Sequence, residues 1–139
     1  MNVNALNQAL REVVDKRRIL GQMGYDHEQY DDLEEELHDL EDDFLSQYGD
    51  FLEGVLEKVH HDFCPESDVL LATAYLPRQY QKVVNAKTGE EEFDMGDNDG
   101  VWVELEEFPG ADAKLILLPD PARIELLTRA GSRAVWKAV

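Results

Sequence analysis

The spacing of apolar residues changes character at Pro65. Before it, apolar residues recur every three or four positions, first from Leu6 to Leu20 and then from Leu33 to Val59, which is the period of amphipathic helices. After it, the spacing falls toward two or becomes a continuous apolar run, which is typical of strands. The sequence therefore predicts a helical first part and a β-sheet second part, an α+β fold.

Two helices are predicted before that change. The first is expected over about residues 3 to 22, because Gly21 stands where a helix would end. The second follows the longer apolar series, and Gly49 with Asp50 leaves open whether it breaks into two. A short link between two amphipathic helices favours an antiparallel hairpin, since neither apolar stripe can be buried alone.

Seven short strands are predicted after the helices, joined by turns rich in Gly, Pro, Asp and Asn, of which Lys87–Gly89 is one. They are expected at residues 68–76, 80–86, 91–95, 101–106, 114–118, 122–128 and 133–138. Connections this short favour antiparallel neighbours. The prediction is therefore an antiparallel meander of five to seven strands, with the helical hairpin either packed on one face of the sheet or extending from it. The whole chain, 1–139, is expected to form one domain, with 1–64 helical and 68–139 in the sheet.

The composition is strongly acidic. The chain has 31 acidic and 13 basic residues and a formal net charge of -18, which disfavours nucleic-acid phosphates and anionic membranes as partners. Its longest mostly apolar stretch, Val69 to Leu76, is far shorter than a membrane span. A single cysteine, Cys64, suits a reducing compartment and is expected to be a small buried apolar residue. We therefore expect a cytoplasmic protein without a membrane anchor.

Negative charge is concentrated in the second helix. Asp26 to Asp43 contains eleven carboxylates, and no Lys or Arg occurs between Arg18 and Lys58. The helix dipole favours carboxylates in the first turn, whereas those on later turns repel one another at i, i+4 spacing. The run is either a solvated face or a docking site for a basic protein. The docking interpretation assigns partner binding to Glu34, Glu35, Asp39, Asp42 and Asp43.

Two Glu-His pairs raise the alternative of a metal-dependent enzyme. Glu35 with His38, and Glu57 with His60, place a Glu three residues before a His, the spacing that di-iron carboxylate proteins use on helices. Such a site needs two further Glu from other helices, and both histidines are expected beside the apolar stripe rather than within it. No cofactor is therefore predicted, and these four residues are kept only as candidate ligands.

The second half of the chain carries both tryptophans. If Trp102 and Trp136 share one exposed face with Arg123 and Arg133, they form a second partner-binding patch, because Trp and Arg are enriched among interface hot spots. The sequence has no phosphate-binding loop, nucleophile elbow, zinc-peptidase motif or paired CxxC. Catalysis by a recognisable mechanism is therefore not predicted.

The function expected from these features is a non-enzymatic protein-interaction module, such as an adaptor, a regulator or a dedicated chaperone. Its partner is expected to be an unidentified protein of basic character. Two alternatives stay open: the small metal-dependent enzyme, and an acidic mimic of nucleic acid that competes for a basic protein. A homodimer is a further option, because an amphipathic hairpin often buries residual apolar surface against a copy of itself.

Overall fold

The computed structural model describes residues 2–77, 81–84, 91–94 and 99–138. Its elements in chain order are α1 (Val3–Gly21), α2 (Tyr30–Phe63), the 3-10 helix η1 (Ala72–Tyr75), β1 (Gln81–Val84), β2 (Glu91–Asp94), β3 (Val101–Val103), β4 (Ala113–Leu118), β5 (Arg123–Thr128) and β6 (Gly131–Lys137). Two long helices precede the strands, so the predicted α+β class is confirmed. Within the described ranges, neither of these helices is long and apolar enough to cross a membrane.

The helix α1 begins with a side-chain cap and ends within one residue of the predicted position. The Asn2 side chain accepts a hydrogen bond of 3.1 Å from the backbone N–H of Ala5, which satisfies one of the amide groups that a helix start leaves unpaired. The buried face of α1 consists of Leu6, Leu10, Val13 and Val14. These are residues of the apolar series that predicted the helix.

The helix α2 runs without a break through Gly49 and Asp50. The apolar series stays in phase on both sides of the glycine, so that Phe44 and Leu52 are both buried on the side facing the core. A break would place one half of this series in water. Burial of the continuous stripe therefore outweighs the cost of about 1 kcal/mol for a glycine inside a helix.

Two ion pairs join the last turns of α1 to the first third of α2. Lys16 lies 3.2 Å from Glu36, and the Arg17 Nε lies 2.8 Å from a Glu41 carboxylate oxygen. Arg17 also donates a hydrogen bond of 3.1 Å from Nη1 to the carbonyl oxygen of Leu76. This half-buried guanidinium therefore ties together both helices and the segment that follows η1.

The predicted strand count is wrong, because the meander has four strands in the described ranges rather than five to seven. Strands β3 to β6 form an antiparallel sheet in the order β3-β4-β5-β6, and β1 pairs with β2 in a separate two-stranded sheet. The apolar run at 68–76 forms irregular backbone and η1 instead of a strand. A short apolar run cannot be assigned to strand or helix by its period alone. The predicted turn Lys87–Gly89 lies outside the described residues.

One face of the four-stranded sheet, called here the inner face, contacts α2. The Phe51 and Trp136 rings are 6.2 Å apart, and the Arg133 guanidinium lies 5.1 Å from the centroid of the Phe63 ring. The residues that the pairing register places on this face include Leu115, Leu117, Ile124, Leu126, Arg133 and Trp136. The C-terminal part of α2 therefore lies against β6.

The first half of α1 is fixed to the turn between β4 and β5. The Asp120 carboxylate accepts hydrogen bonds from the Asn7 amide at 3.1 Å and from the Arg11 Nε at 3.3 Å. The backbone N–H of Asp120 in turn donates to the Asn7 side chain at 2.7 Å. Buried residues of both helices and of the sheet belong to one hydrophobic cluster, so the helical part packs on the sheet.

Candidate functional site

The acidic residues of α2 form a row along its solvent side. We call this row the acidic ridge; it consists of Asp31, Glu35, Asp39, Asp42, Asp43, Asp50, Glu53 and Glu57, all of them exposed. Their steps of three and four residues, continued across Ser46, keep them on one helix face. At a rise of 1.5 Å per residue the ridge extends over about 39 Å. It lies opposite the buried stripe of the same helix.

Among the residues that the structure describes, no Lys or Arg lies within ion-pair distance of the acidic ridge. The carboxylates of α2 that pair with Lys16 and Arg17 are Glu36 and Glu41, which face α1. On the ridge itself, Asp42 is 3.7 Å from the imidazole of His38, a residue whose side chain is 75% exposed. The α2 carboxylates that pair with Lys or Arg of α1 therefore lie at the helix interface, and the ridge carboxylates lie in solvent.

Four of the five predicted partner-binding carboxylates belong to the ridge. The fifth, Glu34, is also exposed but lies to one side of the ridge. Asp26 and Glu28 precede the helix, because α2 begins at Tyr30. Asp31 and Asp32 are the acidic residues of the first turn, so the helix dipole favours only these two.

The candidate metal ligands are far apart. Glu35 with His38 and Glu57 with His60 lie on one continuous helix, and 22 residues at 1.5 Å each separate the two pairs by about 33 Å. No group of three or more His, Cys, Asp or Glu side chains in the described part of the chain is arranged to hold a metal ion. The geometry thus offers no support for a shared site.

His60 is buried rather than beside the apolar stripe, which corrects the prediction. His60 is only 2% exposed. Nδ1 lies 2.9 Å from the carbonyl oxygen of Ser67, and Nε2 lies 2.8 Å from the Tyr75 hydroxyl. A carbonyl can only accept, so Nδ1 carries a proton, and in the neutral imidazole Nε2 then accepts from the Tyr75 hydroxyl. Both ring nitrogens are engaged in holding the segment after α2, and neither is available as a ligand.

The Tyr75 hydroxyl and Cys64 complete this buried region. The hydroxyl accepts a hydrogen bond of 3.1 Å from the backbone N–H of Leu70 while it donates to His60. Cys64 is fully buried, as predicted, and burial raises the pKa of its thiol to about 11. A thiol with so high a pKa is protonated at neutral pH and is a poor nucleophile. The region is a structural joint between α2, η1 and the sheet.

The predicted aromatic patch is not assembled on one surface. Trp102 is 63% exposed on β3, with the Lys114 Nζ 4.3 Å from its ring centroid, whereas Trp136 packs on α2 from β6, at the opposite edge of the sheet. Arg123 is only 6% exposed and donates to the carbonyl oxygens of Pro119 and Pro121 at 2.7 and 3.0 Å. Of the four, Arg133 lines a cleft in the described part of the chain.

That cavity is a cleft of about 690 Å³ at the C-terminal end of α2. Three parts of the chain line it: the end of the helix with Phe63, the β3–β4 loop at residues 105–112, and the β5–β6 hairpin at residues 126–133. The loop is held against the helix end because the backbone N–H of Glu106 donates to the carbonyl oxygen of Phe63 at 3.1 Å. The inner face of the sheet continues beyond the helix here and forms the floor of the cleft.

The surface of the cleft is apolar with charges at its rim. Leu105 and Leu126 are buried in its wall and floor, and Phe108 is 62% exposed in the loop. Arg129 pairs with Asp112 at 3.3 Å, while Arg133 lies over Phe63. This site was not predicted, since its parts come from three separate segments of the sequence. The local signal for it is the aromatic Phe108 next to Pro109 and Gly110.

Comparisons with protein-family models, with characterised proteins and with solved structures found no match to this chain. The acidic ridge and the cleft are therefore the features from which a function can be inferred.

Proposed function

We propose that the chain is a non-enzymatic protein-interaction module, an adaptor, regulator or dedicated chaperone, that docks a basic protein on the acidic ridge of α2. The observation that supports this is the charge of the ridge: eight exposed carboxylates on one helix face without a Lys or Arg within ion-pair distance in the described ranges. Such a surface attracts and orients a basic partner through long-range electrostatics, which raise the association rate more than the final affinity.

Folding requirements alone do not account for this surface. A solvent-facing helix side must be polar, but alternating Glu and Lys would satisfy that need and would add about 0.2–0.5 kcal/mol per i, i+4 pair, whereas like charges at that spacing cost similar amounts. Glu35, Asp39 and Asp43 form two such repulsive pairs in succession. The ridge therefore lowers the stability of the isolated protein slightly, and a bound basic partner would remove that cost.

The other expected properties fit this proposal without being tested by it. A buried free thiol with a raised pKa is compatible with the cytoplasm, where thiols stay reduced. The two ion pairs between α1 and α2 fit an antiparallel hairpin, since they join the end of one helix to the beginning of the next. No specific observation favours the metal-dependent enzyme or the nucleic-acid mimic, because the candidate metal ligands are far apart and the ridge is a single row of carboxylates.

A quantitative pull-down with matched variants tests the proposal. The ridge variant carries Glu35→Gln, Asp39→Asn, Asp42→Asn and Asp43→Asn. The control variant removes the same number of exposed carboxylates elsewhere, through Glu12→Gln, Glu66→Gln, Asp68→Asn and Glu104→Gln. We expect basic proteins to be captured by the wild type and the control, and to be depleted about tenfold with the ridge variant at low salt. Identical captured proteins in identical amounts for all three would refute docking on the ridge.

A further inference from the structure

Arg133 has an unusual environment for a basic residue of this chain. Carboxylates outnumber basic groups by 31 to 13, yet none of the described carboxylates lies within ion-pair distance of Arg133. Its guanidinium instead lies over the Phe63 ring, 5.1 Å from the centroid, at the wall of the cleft. Stacking on an aromatic ring holds a guanidinium in one plane and leaves its N–H fork free to bind a carboxylate through two parallel hydrogen bonds.

Apolar surface lies directly beside this fork. Leu126 is the cross-strand partner of Arg133 and shares the inner face with it, and Leu105 and Phe108 line the same cleft. The volume of about 690 Å³ is within the range of sites that enclose a small ligand or the end of a peptide. The site therefore matches a group that carries a carboxylate and an apolar side chain within a few ångströms of each other.

The strand that carries Arg133 favours a polypeptide as the occupant. β6 is the last strand of its sheet, and residues 131–134 are exposed. On the side away from β5, no described strand of that sheet adjoins β6, and the main-chain groups of such an edge strand can pair with an extended peptide. The backbone beside Arg133 can thus hold the residues that precede a terminal carboxylate.

We propose that the cleft binds the C-terminal residues of a partner protein. The terminal carboxylate lies on the Arg133 guanidinium, the last side chain, which is large and apolar, packs against Phe63, Leu105 and Leu126, and the preceding residues extend along β6. This inference rests on the proposed function, because a basic segment further from the terminus would reach Asp62 at the cleft and the acidic ridge on the same helix. The acidic protein can accept the C-terminal carboxylate of the partner because the residues near it in the partner are basic.

Fluorescence anisotropy with short peptides tests the cleft. The probe is a labelled octapeptide with three lysines in its first half and a leucine at a free C-terminus, compared with the same peptide as a C-terminal amide and with a serine-ended version. We expect the amide and the serine-ended peptide to bind about tenfold more weakly, because each lacks one half of the recognised group. Equal affinities for acid and amide, or no binding of the free acid up to 1 mM (roughly -4 kcal/mol), would overturn the proposal.

Two arginine variants localise the effect. Arg133→Gln is expected to abolish the preference for acid over amide, while Arg129→Gln, which alters an exposed arginine already paired with Asp112, keeps it within twofold. Loss of the preference in both variants, or in neither, contradicts the assignment to Arg133. Octanoate is included as a competitor: strong octanoate binding without peptide binding would assign the cleft to small amphipathic acids and overturn the peptide proposal.

The ridge variant separates this inference from the proposed function. If both are right, that variant lowers the affinity for all the lysine-bearing peptides but preserves the ratio between acid and amide. A ratio of one together with a ridge-dependent, salt-sensitive affinity would refute the cleft proposal and support docking on the ridge. A preserved ratio with no effect of the ridge variant would support the cleft and refute the ridge.

Discussion

Replacing Tyr75 by Phe isolates the hydrogen bonds that connect α2 to the segment after it. The change removes one hydroxyl that donates to the His60 Nε2 at 2.8 Å and accepts from the Leu70 N–H at 3.1 Å. The ring remains, so the apolar packing of this fully buried residue is preserved. The substitution therefore measures the contribution of these hydrogen bonds to stability, without creating a cavity at the ring.

The structure sets the size of the expected effect. The bond between His60 and Tyr75 is buried, and losing it leaves an imidazole nitrogen without a donor, which costs about 1–3 kcal/mol. The bond to Leu70 is only partly buried, so water can replace the hydroxyl there at little cost. We expect a loss of about 1–3 kcal/mol in the free energy of unfolding and a lower Tm, by about 3–4 °C per kcal/mol for a chain of this size.

Guanidinium denaturation followed by far-UV circular dichroism measures this loss. Tyr48→Phe is the matched control, because the Tyr48 ring packs on Phe44 with centroids 5.6 Å apart and its hydroxyl has no hydrogen-bond partner among the residues described. We expect the control to stay within about 0.5 kcal/mol of the wild type. If the two variants unfold at the same denaturant concentration, the buried His60–Tyr75 bond does not contribute to stability and our account of this joint is wrong.

Three further perturbations have distinct expected outcomes. Arg17→Met should lower the free energy of unfolding by about 1–3 kcal/mol, because the Arg17–Glu41 ion pair is half-buried. Lys16→Met should lower it by under about 1 kcal/mol, because the Lys16–Glu36 pair is more exposed. Equal losses of stability in denaturation would contradict this. The Cys64 thiol should not react with a disulfide reagent in the native state at pH 8, and ready labelling of native protein would refute its burial. Because the pKa of the thiol is raised from 9.0 to about 11 in the folded state, the stability that its burial contributes should be full below pH 9 and should decline as the pH rises toward 11. Asp39→Asn should raise the free energy of unfolding by about 0.4–1 kcal/mol at low salt, by removing two i, i+4 repulsions, and less at high salt; a loss at low salt would contradict the repulsion.

The sequence predicted the helices better than the sheet for a physical reason. A helix repeats its contacts every three or four residues, so the long apolar series fixed the extent of α1 and α2 closely. A strand depends on a neighbour distant in sequence. The apolar run at 68–76 has the composition of a strand, but Tyr75 there is held by His60 from α2, and the resulting backbone forms η1.

The candidate site was only partly predictable for the same reason. The acidic ridge lies within one helix, and its solvent exposure follows from its phase relative to the apolar series. The aromatic patch required Trp102 and Trp136 to be neighbours, but strand order separates them to opposite edges of the sheet. The burial of Arg123, which donates to two carbonyl oxygens in the β4–β5 turn, and the position of Arg133 at the cleft likewise depend on tertiary contacts.

The length of α2 explains why a ridge exists, but not why it is acidic. Its 34 residues extend over about 51 Å, whereas the 7 residues of β6 extend over about 23 Å. The sheet can therefore cover only the C-terminal part of the helix, and α1 covers the rest from one side, which leaves a long face in water. That face must be polar, but a mixture of Glu and Lys would stabilise the helix, and carboxylates alone do not. Folding therefore gives no reason for the negative sign of the charge. The proposed docking of a basic partner, with its C-terminus in the cleft where the helix ends, gives a reason.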